Sequence, residues 1–193
     1  MQYLVLGLVL FLGVHSVRIF ADGWRTATLA RVGDAAYKGV YSVVSLLGFG
    51  LVIWGFGLAR ETPMMLWTPP LGMRHAASLL TLIAFVLLAA AYVPGNGIKA
   101  RFHHPMVLGV KTWALAHLLA NGSLAHVLLF GAFLIWAVLD FVAARRRDRA
   151  QGITYPAGSM SRTLMAVGVG ALAWAVFAFW LHGLLIGIRP IGA

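Results

Sequence analysis

The chain has 193 residues, of which 61% are hydrophobic and 10% are charged. Soluble globular domains carry about 25% charged residues, so this composition provides too few charges to cover a water-exposed surface. We therefore predict an integral membrane protein with a single domain over residues 1–193. The absence of cysteine excludes disulfides, thiolate nucleophiles and cysteine-ligated metals. The net charge of +10 is typical of basic cytoplasmic loops, and we expect no nucleic-acid partner.

Six apolar runs follow one another along the chain, and each is long and unbroken enough to be helical. A bilayer core needs about 20 apolar residues per helix, with a range near 17–25. Five runs meet this length and the fourth is short. The runs are Gln2–Phe20, Gly39–Ala59, His75–Val93, Met106–Ala120, Ser123–Ala143 and Thr163–Ile188. They predict an all-α bundle of six transmembrane helices.

The basic residues between these runs predict the orientation of the bundle. Twelve of the 15 Lys and Arg residues lie in the first, third and fifth connections, and the other three are Arg60, Arg74 and Arg189. Cytoplasmic loops carry an excess of Lys and Arg, so the odd connections are expected in the cytoplasm and both termini outside. The expected location is the inner (plasma) membrane of the cell, with the lipid bilayer as the main partner.

Of the histidines inside apolar runs, His15 and His117 could carry chemistry. An ionisable side chain at membrane depth is costly, so such a residue indicates a functional site. His15 lies three residues before Arg18, and His117 lies six residues after Lys111. Counted from those charges, both imidazoles are expected at one depth, roughly 5–9 Å inside the membrane rim. Two facing imidazoles could ligate a metal or a haem iron, or could simply hydrogen-bond across helices.

Cations close to that depth favour an anionic cofactor. Arg18, Lys38 and Lys111 could surround the cytoplasmic mouth of the bundle and hold haem propionates or another carboxylate or phosphate. The alternative is that they only mark the membrane interface. Acid–base catalysis is poorly supplied, because the chain has five acidic residues and no paired carboxylates.

Several blocks of the sequence together carry a family resemblance. They are Gly13–His15, Arg31–Gly57, Leu66–Pro70, Ile98–Met106, Lys111–Gly122 and Leu128–Asp140. Through these blocks the sequence resembles the NnrU family, membrane proteins encoded with nitrite and nitric oxide reduction genes. The resemblance covers nearly the whole chain. It implies a role linked to denitrification, with a nitrogen-oxide redox partner or a small apolar substrate.

The same family includes the plant-type 15-cis-zeta-carotene isomerase, a membrane enzyme with haem b. Its axial histidines lie in a His-Ser motif and in a Trp-Cys-x-x-His motif. Here these motifs correspond to His15-Ser16 and to Trp113–His117, with Ala114 in place of the cysteine. The resemblance implies that His15 and His117 ligate haem iron. The missing cysteine argues against a redox-linked ligand switch and against the isomerase activity itself.

A second resemblance points to a different class of enzyme. His104, Pro105 and Gly109 match the Arg-His-Pro-x-x-x-Gly helix of isoprenylcysteine carboxyl methyltransferases, with His103 in place of the Arg. Those enzymes bind S-adenosylmethionine and add paired glutamates, whereas this chain has no acidic residue after Asp148. His104 is thus a further cofactor-binding candidate. A third possibility is a non-enzymatic accessory or assembly subunit for nitric oxide reduction.

Overall fold

The computed structural model describes residues 1–191, and this part of the chain is helical with no β-strand. The α-helices are α1 (Gln2–Phe20), α2 (Asp22–Val32), α3 (Asp34–Glu61), α4 (Leu71–Tyr92), α5 (Gly97–Phe102), α6 (Pro105–Ala120), α7 (Leu124–Gln151), α8 (Met160–Val176) and α9 (His182–Ile186). A π-helical turn, Phe177–Leu181, joins α8 to α9.

Five helical segments are long and apolar enough to cross a membrane: α1, α3, α4, α7 and the continuous stretch Met160–Ile186. The all-α membrane architecture is therefore supported. The fourth predicted run forms α6, which has 16 residues and is about 24 Å long, less than the roughly 30 Å of a hydrocarbon core. Residues 1–191 thus give five spans by length and one shorter apolar helix, the run that the sequence also marked as short, so the predicted total of six spans is not confirmed.

A loop packs against the end of α6. Residues 62–70 fold against the α6–α7 turn, where the backbone N–H groups of Leu66 and Trp67 both donate to the carbonyl of Gly122, at 2.8 and 3.2 Å. The N–H of Leu124 donates to the Met64 carbonyl at 2.9 Å. Irregular backbone is tolerated near membrane depth only when its polar groups are paired, and these bonds provide that pairing.

Small residues let α1 and α3 approach closely. Gly7 on α1 and Gly48 and Gly55 on α3 each face the backbone of the other helix, where a Cβ atom would overlap main-chain atoms. Gly50 and Gly57, on the same helix α3, have nothing within 4 Å of an added Cβ. Close packing of this kind supplies the van der Waals contact that drives helix association in lipid.

Two short helices lie outside the six apolar runs. α2 contains no buried residue and is too polar to register as an apolar run. Asn96 caps the N-terminus of α5, where its side-chain oxygen accepts from the Lys99 N–H at 2.8 Å and its amide donates to the Ala90 carbonyl at 2.8 Å. This buried asparagine stops α4 and starts α5, so the chain turns back within a few residues.

Candidate functional site

His15 lies near the end of α1, surrounded by aromatic rings. Its Nδ1 lies 2.6 Å from the carbonyl oxygen of Phe11, one turn earlier. The imidazole also contacts the rings of Phe11, Tyr41 and Trp136, with centroids 4.3, 5.3 and 6.1 Å away. A carbonyl can only accept a hydrogen bond, so Nδ1 carries the proton and the Nε2 lone pair is left for another partner.

His117 repeats this arrangement in the last turn of α6. Its Nδ1 lies 2.9 Å from the carbonyl oxygen of Trp113, again one turn earlier. The ring stacks on Phe130 at 4.4 Å and lies 5.1 Å from the ring of Trp113. Both histidines therefore present Nε2 as the acceptor, with the other nitrogen held by the backbone. This is the tautomer and the outer-shell bond that iron-ligating histidines commonly have.

The structure does not bring the two imidazoles together. Helices α1 and α6 do not pack on each other within residues 1–191, and both pack on α7. The rings that contact His15 and those that contact His117 form separate sets. Phe133 of α7 lies between these sets, 5.9 Å from the Phe11 ring and 5.6 Å from the Trp113 ring.

The expected common depth of the two histidines is also not observed. His15 lies beside Trp136 and His117 beside Phe130, and these α7 residues are separated by about 9 Å of helix rise. The expected depth of His117 was counted from Lys111, on the assumption that Lys111 lies at the rim of the membrane. In the structure α6 begins six residues earlier, at Pro105, and the Lys111 ammonium lies 5.2 Å over the Phe141 ring. A long lysine side chain can reach the interface from inside a helix, so it marks the rim poorly.

Trp136 is a site residue that sequence reasoning missed. Its indole Nε1–H is buried and has no hydrogen-bond partner among residues 1–191, and its ring lies edge-on to the His15 imidazole. Buried donors are nearly always paired, so an unpaired one beside His15 indicates room for an acceptor such as water or a ligand oxygen. The available sequence signal was its position one turn before Asp140, a polar residue in an apolar run.

A polar cavity of about 300 Å³ opens one turn beyond His15, between the ends of α1, α6 and α7. Its lining combines cations, carboxylates and an imidazole. The lining residues are Arg18, His104, Val107, Asp140, Ala144, Arg147, Asp148 and Gln151. Two of the predicted site residues, Arg18 and His104, thus meet here, whereas Lys111 is not part of the lining.

Ion pairs connect the α1 and α7 walls of this cavity. Arg147 lies 3.8 Å from the Asp140 carboxylate and donates to the Arg18 carbonyl oxygen at 3.0 Å. Arg18 itself lies 3.9 Å from Asp22, and its side chain is 56% exposed. Because that contact is too long for a hydrogen bond, Arg18 retains donor capacity toward a ligand in the cavity.

His104 belongs to a hydrogen-bonded cluster on the α6–α7 wall. Its Nε2 lies 2.7 Å from Oδ2 of Asp148, and the hydroxyl of Tyr155 donates to the same oxygen at 2.9 Å. Burial, together with the hydrogen bond to the Asp148 carboxylate, raises the pKa of the Tyr155 phenol above 10.0. The preceding residue, His103, stacks on Tyr155 at 4.1 Å.

Metal ligation by protein side chains alone has little support. Within residues 1–191 no group of three or more His, Asp or Glu side chains is arranged to hold a metal ion. A haem needs only one or two axial protein ligands, so this observation bears on bare metal ions and does not test haem binding.

Comparison with known proteins identifies the family. The family model described as NnrU protein matches residues 3–190. The chain belongs to the NnrU family. No curated protein and no solved structure matches it. The match includes His15, His117 and the aromatic residues around them, as well as every residue that lines the polar cavity.

Proposed function

We propose that this NnrU-family chain binds haem b in the cell inner membrane, with His15 and His117 as axial ligands. In this role it would serve a redox step of nitrogen-oxide metabolism, with a small apolar molecule or a nitrogen-oxide redox protein as partner. Chemistry like that of 15-cis-zeta-carotene isomerase is the less favoured version, because Ala114 replaces the isomerase cysteine.

The observation that carries the proposal is the matched state of the two histidines. Each donates Nδ1–H to the carbonyl four residues earlier, at 2.6 Å in one case and 2.9 Å in the other. Each is surrounded by aromatic rings, which exclude water and suit a flat apolar macrocycle. A neutral imidazole with a free Nε2 in such surroundings is suited to bind iron.

The ring of Phe133 stands in the way of ligation by both histidines. Its ring lies between the residues that surround His15 and those that surround His117. One haem held by both imidazoles therefore requires this ring to move aside. At the His15 end, Arg18 and the unpaired Nε1–H of Trp136 are the groups that would hold a propionate. Burying a carboxylate near the membrane is costly without such partners.

The decisive experiment is the absorption spectrum of the purified, haem-supplemented protein. We expect a Soret band and a low-spin six-coordinate spectrum. His15→Ala and His117→Ala should each lose haem or leave it five-coordinate and high-spin, because each removes one axial ligand. His126→Ala is the matched control, since that imidazole also stacks on Phe130, at 6.0 Å, but its Nδ1 bonds to the Ser123 hydroxyl. A low-spin spectrum retained in both ligand variants contradicts the assignment.

Arg18→Gln tests the propionate role separately. A charge-assisted hydrogen bond contributes about 1.5–3 kcal/mol, so we expect lower haem occupancy with an unchanged low-spin spectrum in the remaining holoprotein. Arg31→Gln is the control, because Arg31 is an exposed cation on the neighbouring helix α2 and does not line the cavity. Full occupancy in Arg18→Gln would mean that Arg18 only marks the interface, and would leave the histidine ligands untouched.

One observation supports a second candidate function, that of an S-adenosylmethionine-dependent methyltransferase. His104, from the His-Pro motif shared with those enzymes, opens into a cavity with two carboxylates and two guanidinium groups. Such a lining offers partners for the charged amino and carboxylate groups of the cofactor. A colourless protein that binds S-adenosylmethionine would favour this function, and a colourless protein that binds neither cofactor would favour an accessory subunit.

A further inference from the structure

One face of α7 is exposed along the second half of the helix, first with apolar and then with basic side chains. Residues that are three, four and seven positions apart lie on one face of a helix, and this spacing continues here without a break. The four apolar members are 40–64% exposed, and three arginines follow them directly. This set, here called the α7 stripe, comprises Ile135, Val138, Leu139, Val142, Arg145, Arg146 and Arg149.

The α7 stripe crosses the boundary of the membrane. The helix begins at Leu124, so Arg145 lies about 30 Å along it, which matches the roughly 30 Å thickness of a hydrocarbon core. The arginines therefore lie at the level of the lipid phosphates, whereas Val142 and the apolar residues before it lie at the level of the acyl chains. Because α7 continues to Gln151 and ends at Gly152, a folded helix holds the arginines in place.

The arginines of the α7 stripe keep their charges available for a ligand. The ion pairs found within residues 1–191 are made by other basic side chains, namely Arg18, Lys38, His104 and Arg147. Arg147, which follows Arg146 directly, lies on the other side of α7, where it pairs with Asp140 and donates to the Arg18 carbonyl oxygen. Like charges one turn apart on a helix repel one another, so an anion bound among the arginines would stabilise them.

We propose that the α7 stripe binds an anionic phospholipid, with the phosphate among Arg145, Arg146 and Arg149 and an acyl chain along residues 135–142. Guanidinium groups bind phosphate oxygens through charge-assisted and often bidentate hydrogen bonds. Clusters of basic residues directly after a membrane span are typical binding sites for anionic lipids. The apolar part of the stripe favours a lipid over free phosphate, because only a lipid brings an acyl chain to pack along it. This site does not depend on the haem function.

The alternative is that these arginines only orient the bundle, as basic residues in cytoplasmic connections do. Arg31 on α2 and Arg101 on α5 provide the comparison, because both are exposed cations in the first and third connections. Neither α2 nor α5 is among the membrane-spanning helices, so neither arginine continues an apolar stripe. Replacing these two arginines removes the same charge as replacing Arg146 and Arg149, and leaves the α7 stripe intact.

The test is lipid binding by the full chain in detergent, with phosphatidylglycerol and phosphatidylcholine as probes. Native mass spectrometry of a lipid titration gives the affinity for each lipid. We expect the wild-type protein to bind phosphatidylglycerol more tightly than phosphatidylcholine. An arginine near an anionic lipid surface contributes about a fivefold factor in affinity, so Arg146→Gln/Arg149→Gln should weaken phosphatidylglycerol binding by about thirtyfold. Binding of phosphatidylcholine should change little.

The charge-matched control is Arg31→Gln/Arg101→Gln, which should keep the preference for phosphatidylglycerol. Equal weakening in the two double variants would mean that only net charge acts, and would overturn the proposal. Equal affinity of the wild-type protein for the two lipids would overturn it without any variant. Inorganic phosphate and polyglutamate serve as competitors, and neither should displace the lipid. Displacement by phosphate would indicate a free-anion site, and displacement by polyglutamate a docking surface for an acidic protein; either result contradicts the lipid assignment.

Discussion

At one end of the bundle the structure is held by backbone hydrogen bonds, whereas at the other it is held by side-chain charges. The first, here called the turn end, comprises residues 62–70 and the α6–α7 turn at residues 121–123, where Gly122 accepts two backbone N–H groups. The second, here called the basic end, comprises the ends of α1 and α7 and the start of α6, where Arg147 and Asp140 pair and His104 bonds to Asp148. The basic end opens into the polar cavity lined by Arg18, His104 and Asp140.

The difference indicates what each end can do. The backbone hydrogen bonds at the turn end themselves involve no titratable group, although His126 bonds there to the Ser123 hydroxyl. The basic end depends on ionisable side chains, whose bonds change with protonation or with an anionic ligand. Groups that respond to pH or to an anionic ligand, such as Arg18 and His104, therefore lie together at the basic end.

Reporter fusions test the orientation of the two ends, and the expected effect is all-or-none. The first, third and fifth connections meet at the basic end, as the bond from Arg147 to the Arg18 carbonyl and the bridge between Asn96 and Ser159 show. The excess of Lys and Arg there predicts that this end is cytoplasmic. Fusions in the connection after residue 147 should report the cytoplasm, and one in residues 62–70 the outside. An external signal after residue 147 would reverse the assignment.

Gly122→Ala tests the backbone pairing of the turn end and should have the next largest effect. A Cβ atom at this position would overlap the Trp67 carbonyl, so residues 62–70 must move and their hydrogen bonds to Gly122 are lost. We expect a loss of about 3 kcal/mol, measured as a lower melting temperature in detergent. Gly131→Ala on α7 is the control, because nothing lies within 4 Å of its added Cβ. Equal melting temperatures for the two variants would show that the loop contributes little.

The all-α architecture was predictable from the sequence because apolar runs form helices locally. The runs Gln2–Phe20 and Met106–Ala120 agree with α1 and α6 to within one residue. The helices α2 and α5 were not predicted, because their polar composition resembles that of loops. The resemblance to the NnrU family was confirmed over residues 3–190, while the haem assignment remains a prediction.

The candidate site was less predictable because it depends on which helices pack together. Counting residues along α1 and α6 could not show that α7 lies between them, with Phe133 in the gap. Nor could it show that Asp148, 44 residues away, is the partner of His104. Arg18 was identified by its charge near the membrane rim and His104 by the His-Pro motif, but their common cavity depends on tertiary packing.

Tyr155→Phe tests the side-chain bonding of the basic end and should have the smallest effect. It removes the hydroxyl that donates to Asp148 at 2.9 Å and keeps the ring stacked on His103. We expect a loss of about 1 kcal/mol at pH 7, typical of one hydrogen bond. The pKa of Tyr155 is raised in the folded protein, so the stabilisation is fully present below the ordinary tyrosine pKa of about 10 and is lost as pH rises through the folded value. Melting temperatures of wild type and variant should therefore differ equally at pH 7 and 9 and converge at higher pH. Tyr92→Phe, at an exposed position at the end of α4, is the control and should match wild type throughout. A Tyr155→Phe protein as stable as wild type at pH 7 would mean that Asp148 holds His104 without help from the phenol.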